Sequence, residues 1–173
     1  MSRFPAKLLL MLIAVLTGSP VSAEITVRFV PTDQYTDLAI GGSSTAAVQD
    51  DLLKQFEKHF KQLAERYLPG GDKLEIVVQD IDMAGATEPW RAPNLNDTRF
   101  LRDIYPPRIS LHYLWYDKAG GLKADQHEKL SDLNYLMLLD SAYYTNNDPL
   151  RYEKALLDRW FRRTFSSPEQ PKK

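Results

Sequence analysis

The chain of 173 residues has no cysteine. That absence excludes a disulfide framework and a lipid anchor attached through a lipobox cysteine. Histidine is scarce, and His59, His112 and His127 stand far apart, outside any His-Glu-x-x-His or Cys/His spacing that would hold zinc. Three further motifs are missing: the Gly-x-Ser-x-Gly elbow, the phosphate-cradling Gly-x-x-x-x-Gly-Lys loop and the dinucleotide Gly-x-Gly-x-x-Gly. There is no basic stripe for nucleic acid and no polybasic patch. The longest apolar run, residues 8–16, is too short to span a bilayer, which takes about 20 residues.

Acidic residues are also absent before Glu24, and that gap has a pattern. Arg3 and Lys7 precede the apolar run, Gly18-Ser19-Pro20 breaks it, and Val21-Ser22-Ala23 offers the small residues a signal peptidase needs. The expectation is a signal peptide over residues 1–23, cleavage after Ala23 and a periplasmic product without stable membrane insertion. Arg3 and Lys7 are two of the 22 basic residues, so the chain from Glu24 carries 20 bases against 23 acids, a net charge of −3. Hydrophobic content of 43% and charged content of 26% suit one globular domain over residues 24–173, its polar tail starting near 166.

What is present reads as an α+β domain. Ile25, Val27 and Phe29 alternate along a first strand that Pro31 ends. A helix follows over about residues 45–67, capped by Ser44 or Thr45, with Leu53, Phe56, Phe60, Leu63, Ala64 and Tyr67 on one stripe and His59 on its charged, solvated side. Pro69-Gly70-Gly71 stops it. The central strand begins at Leu74 with Leu74, Ile76 and Val78 on one face and Val77 and Ile81 on the other, both faces covered. Strands are expected over residues 98–104, 108–116 and 122–130, the last two joined through Asp117-Lys118-Ala119-Gly120-Gly121. Residues 133–139 fit a strand or a helical turn. Asp148 as N-cap and Pro149 as first helical residue open a last helix carrying Tyr152, Leu156, Trp160, Leu157, Phe161 and Phe165 in two apolar rows. The expected architecture is two layers: a mainly antiparallel sheet with both amphipathic helices packed on one face.

Four groups of residues are candidates for chemistry. Asp80 and Asp82, leaving one face of a strand end, could share a divalent cation; the alternative is turn capping and pairing with a base such as Arg108. With Glu88 as a third acid they would make a metal-dependent hydrolase or transferase. Trp90 and Arg91, beside Glu88 in a loop bounded by Pro89 and Pro93, suit a ligand or partner contact; the alternative is that Trp90 folds back as a lid on the core edge, since tryptophan is buried on average. Asp132 and Arg151 are expected to form a structural ion pair tying the segment after the fifth strand to the last helix. No cofactor is called for.

Several separated pieces of the chain resemble one family. They are Leu68-Pro69-Gly70-Gly71, the run from Leu74 to Gly85, Glu88-Pro89-Trp90, Leu101-Arg102-Asp103 before Pro107-Arg108-Ile109, the run from Leu130 to Leu136, and Asp148-Pro149-Leu150-Arg151-Tyr152-Glu153-Lys154 with Trp160-Phe161. Together they resemble DUF3016, a family of small exported bacterial proteins. The resemblance covers nearly all of the chain after Ala23 and implies a Gram-negative envelope protein; it brings no activity and no functional residues. The expectation is a non-catalytic periplasmic binding or envelope-assembly module, with an envelope glycan or a protein as partner.

Overall fold

A computed structural model of the chain describes residues 22–91, 95, 98–137 and 139–166. Residues 1–21 of the expected signal segment, residues 92–94 and 96–97 at and beyond the end of the proline-bounded loop, residue 138 and residues 167–173 of the expected tail lie outside these. The elements in chain order are β1 (Glu24–Phe29), α1 (Ala46–Tyr67), β2 (Lys73–Asp82), β3 (Ala86–Thr87), β4 (Arg99–Phe100), β5 (Arg108–Tyr116), β6 (Leu122–Ser131) and α2 (Arg151–Phe165), with one-turn 3-10 helices at Thr32–Gln34 and Leu139–Tyr143. No described helix is long and apolar enough to cross a membrane.

The main sheet has the order β1-β2-β5-β6. β2 pairs antiparallel with β5, and β5 with β6, through the expected hairpin. β1 pairs parallel with β2, because a helix rather than a tight turn joins them. β3 and β4 form a separate short ribbon, so the strand expected over residues 98–104 shrinks to two residues.

Both helices lie on one face of the sheet. Phe56, Phe60 and Leu63 of α1, Leu157, Trp160, Phe161 and Phe165 of α2, and Leu74, Ile76, Val78, Ile109 and Leu111 of the strands form one buried cluster. Phe60 meets Phe161 at a ring distance of 6.1 Å, and Tyr113 meets Trp160 edge-on at 5.6 Å. Thr45 Oγ1 caps α1 by accepting from the Val48 N–H at 3.4 Å. α2 opens two residues later than expected, at Arg151 rather than Pro149, with Leu150 as N-cap, and Asp148 accepts from the Leu150 N–H at 2.9 Å just before it.

Two expectations about β2 change. Among the described residues no helix lies over the opposite sheet face, which carries charged and half-buried side chains such as Arg28, Glu75 and His112. The alternation along β2 also breaks. Val78 opposes Leu111 while Asp80 opposes Ser110, which leaves Gln79 as an extra residue in a β-bulge. The bulge puts Ile81 on the same buried face as Leu74, Ile76 and Val78, and turns Asp80 and Asp82 away from the core.

Candidate functional site

At the end of β2 the chain turns through Gly85, where φ is +83° and an added Cβ would stand 2.7 Å from the Phe100 carbonyl oxygen, so only glycine fits without displacement. The turn is held from three directions. The Gly85 N–H donates to the Tyr105 carbonyl at 2.9 Å. The Arg99 guanidinium donates to the carbonyls of Met83 and Ala84 at 2.6 Å each and pairs with Asp37 at 2.9 Å. The Ala84 N–H donates to Glu153 of α2.

Three residues on, Glu88 is buried, and its carboxylate is fully engaged. It accepts from Arg91 Nε at 2.5 Å and from the Tyr105 hydroxyl at 3.3 Å, and it forms an ion pair with Arg102 Nε at 3.1 Å. Arg91 also lies over the Phe100 ring, 5.0 Å from its centre. Glu88 is therefore an anchor of the loop rather than one of its contact residues. Trp90, between Glu88 and Arg91, is 73% exposed. It does not cover the core edge; it stands out from a backbone held by charge-assisted bonds.

Asp80 and Asp82 are engaged separately. Asp80 accepts from the Thr36 N–H at 2.8 Å and the Thr36 hydroxyl at 3.0 Å, which fastens the segment after β1 to β2. Asp82 accepts from Arg108 Nη1 at 2.8 Å. With Glu88 bound elsewhere, the three acids do not converge, and among the described residues no group of three or more His, Asp or Glu side chains is placed to hold a metal ion.

The expected pair of Asp132 and Arg151 is a correction. Asp132 is bonded by Arg159, which also reaches Asp140 at 3.2 Å, and Asp132 accepts from the Asn134 N–H at 3.0 Å. Arg151 instead donates to Asn146 at 2.8 Å and to the Tyr152 hydroxyl, with its guanidinium 4.4 Å from the Tyr152 ring centre. The eight residues from Arg151 to Arg159 amount to a rise of about 12 Å and a turn of roughly 80° along α2. The segment after β6 meets the middle of the helix, not its start.

Residues 23–163 match the family model described as a protein of unknown function, DUF3016. The chain belongs to the DUF3016 family. No curated protein and no solved structure matches it. All the candidate residues of this DUF3016 chain lie inside the matched region.

Two further groups in the DUF3016 fold escape a reading by motif. Glu153 is wholly buried, with Oε1 on the Ala84 N–H at 2.7 Å and Oε2 without a partner. Burial pushes its carboxyl above the ordinary range, against the pull of the Ala84 N–H and of Arg99. His59 is buried too, contrary to the solvated placement expected for it. Its Nε2 lies 3.5 Å from Asp158 Oδ1 and 3.3 Å from the Lys154 carbonyl, and Tyr144 donates its hydroxyl to Asp158. Burial raises the Asp158 carboxyl, but the bonds from His59 and Tyr144 outweigh it and hold the group below its usual range. Helical spacing contained both signals: His59 falls three after Phe56 and four before Leu63, and Glu153 falls three before Leu156 and four before Leu157.

Two clefts border these groups. One, of about 230 Å³, lies at the start of α2 and is lined by Ile40, Met83, Arg99, Leu101, Arg151 and Tyr152, among others. The other, of about 350 Å³, is polar and lies where the last turns of α1 and α2 meet, with Arg66, Tyr143, Tyr144, Asp158, Arg159 and Arg162 on its walls.

Proposed function

We propose that this chain is a non-catalytic binding module of the bacterial envelope, exported to the periplasm and cleaved after Ala23, and that its contact surface is the loop carrying Trp90 and Arg91. One observation carries the reading: an indole that is 73% exposed stands beside a buried carboxylate, Glu88, that is held by two hydrogen bonds and an ion pair. A preordered loop loses little entropy on binding. The flat face of Trp90 suits stacking on a sugar ring, and the Nη groups of Arg91, which make no bond among the described residues, suit hydroxyl or carboxylate groups. An envelope glycan is the ligand class this combination fits.

The test is a titration of soluble glycan fragments followed by tryptophan fluorescence. Saturable quenching or shift in the parent, lost in Trp90→Ala and weakened in Arg91→Gln, is the expected result. Binding that survives Trp90→Ala overturns the assignment. Intact mass of the exported protein checks the compartment: a product beginning at Glu24 is expected. The separate engagement of Asp80, Asp82 and Glu88 favours no metal-dependent hydrolase or transferase; a rise in Tm on adding a divalent cation would reopen that reading.

A further inference from the structure

On a different part of the molecule, residues 133–137 and 139–143 carry large apolar side chains that nothing among the described residues covers. Met137 is 83%, Leu139 82% and Tyr143 89% exposed, and Leu133 and Leu136 are exposed as well. The backbone beneath them is pinned. Tyr135 is fully buried, donates its hydroxyl to the Arg102 carbonyl at 2.8 Å and stands edge-on to Tyr152 at 4.8 Å. Asp132 and Asp140 on either side are both bonded by Arg159. The exposure is therefore a built feature of the surface. Contiguous exposed apolar side chains on a soluble domain mark an interaction site.

The border of this segment is cationic. Tyr143 shares the polar cleft with Arg66 and Arg162, from the last turns of α1 and α2. The acids of that cleft already have partners in or beside it: Asp140 has Arg159, and Asp158 has Tyr144 and His59. Arg66 and Arg162 are exposed and form no ion pair among the described residues, although Arg66 lies over the Tyr67 ring, 5.9 Å from its centre, and its charge acts on Asp158. Side chains that stand out from turns and a one-turn helix, rather than lining a groove, suit a medium without fixed shape: Leu133, Leu136, Met137 and Leu139 line neither cleft. An apolar tip with an aromatic at its edge and exposed guanidinium groups beside it is the composition of an interfacial anchor.

We infer that residues 133–137 and 139–143, with Arg66 and Arg162 beside them, dock this protein reversibly on an anionic lipid surface. The apolar side chains enter the boundary between headgroups and acyl chains, and the two arginines meet lipid phosphates. This docking is independent of the Trp90 loop.

The experiment uses the chain from Glu24, which holds every described strand and helix; the run at residues 8–16 would bind bilayers by itself. Co-sedimentation is measured with phosphatidylglycerol-phosphatidylethanolamine vesicles and with pure phosphatidylcholine vesicles. Binding to the anionic vesicles, falling as salt rises, with little binding to the neutral ones, is expected. The double variant Met137→Ser, Leu139→Ser should lose about tenfold or more in partitioning, and Arg66→Gln with Arg162→Gln should abolish the preference for anionic vesicles, both at an unchanged Tm. Absence of vesicle binding, or binding indifferent to the serine substitutions, overturns the inference. So does a dimer in light scattering that the serine variant dissociates, since the segment would then be a contact between two copies of the chain.

Discussion

Glu153 in the first turn of α2 accepts a hydrogen bond of 2.7 Å from the backbone N–H of Ala84, 69 residues earlier in the chain. This single bond fastens the last helix to the end of β2, just before the turn that leads to the Trp90 loop. It is made by a carboxylate with its other oxygen buried and unpartnered. A buried polar atom left in that state costs free energy, more so when charged.

A pH dependence follows. Burial raises the Glu153 carboxyl in the folded chain above its ordinary value of 4.5, so the folded state holds the proton more tightly than the unfolded state. The contribution of this group is most favourable below pH 4.5 and is lost as pH rises through the folded-state value. Asp158, Glu75 and Asp117 shift the other way and stabilise with rising pH, so the total profile mixes both signs. The difference between Glu153→Gln and the parent isolates the first. The Tm of the variant, which keeps an acceptor for Ala84, should rise relative to the parent as pH increases above 4.5. A constant difference from pH 4 to 8 would contradict the buried, charge-averse placement.

The two aromatic groups should respond oppositely to truncation. Phe60 lies at the contact of α1 with α2 and is fully buried, and Phe60→Ala should cost about 3–5 kcal/mol in urea unfolding. Trp90→Ala should stay within about 0.5 kcal/mol of the parent, as surface changes do.

A double-mutant cycle between Asp132 and Arg159 should return a coupling of about 0.5–3 kcal/mol, while the same cycle between Asp132 and Arg151 should return none. Chemical unfolding of the parent, the singles and the doubles measures both.

Gly85→Ala should destabilise by about 1–3 kcal/mol, because the backbone there has a positive φ and the new methyl would press on the Phe100 carbonyl. Since Phe100 supports Arg91, the same variant should weaken ligand binding at the Trp90 loop, read in the fluorescence titration.

The helices were legible because Phe56, Phe60 and Leu63, and Trp160 with Phe161, recur at helical spacing; burial follows period when long elements meet one sheet. Helix α1 between β1 and β2 likewise fits the parallel pairing that a crossover requires. The phase of Asp80 and Asp82 was not legible. Gln79 carries no mark of a bulge, and one extra residue moves every later side chain to the other face. Trp90 lay between two readings because amino-acid type records average burial, while its exposure here depends on Arg91, Arg102 and Tyr105 converging on Glu88. The partner of Asp132 was misread because sequence supplies no measure of where along a helix a distant segment arrives. His59 and Glu153 were concealed differently: a polar residue on an apolar stripe reads as an interruption until a partner is seen.

The pairing of β1 sets an order of events at the start of the chain. Glu24 enters the sheet through its N–H, bonded to the Asp72 carbonyl at 3.0 Å, and every strand partner of β1 belongs to β2. This edge strand therefore cannot find its place until the whole of α1 and most of β2 have been synthesised, and such a long loop closes slowly. Until then β1 has no strand partner, and the Ala23-Glu24 bond, where cleavage is proposed, is not held by the sheet. Once β1 docks, that bond abuts the sheet edge. The proposed cleavage after Ala23 would therefore compete in time with docking of the first strand, which the parallel topology delays.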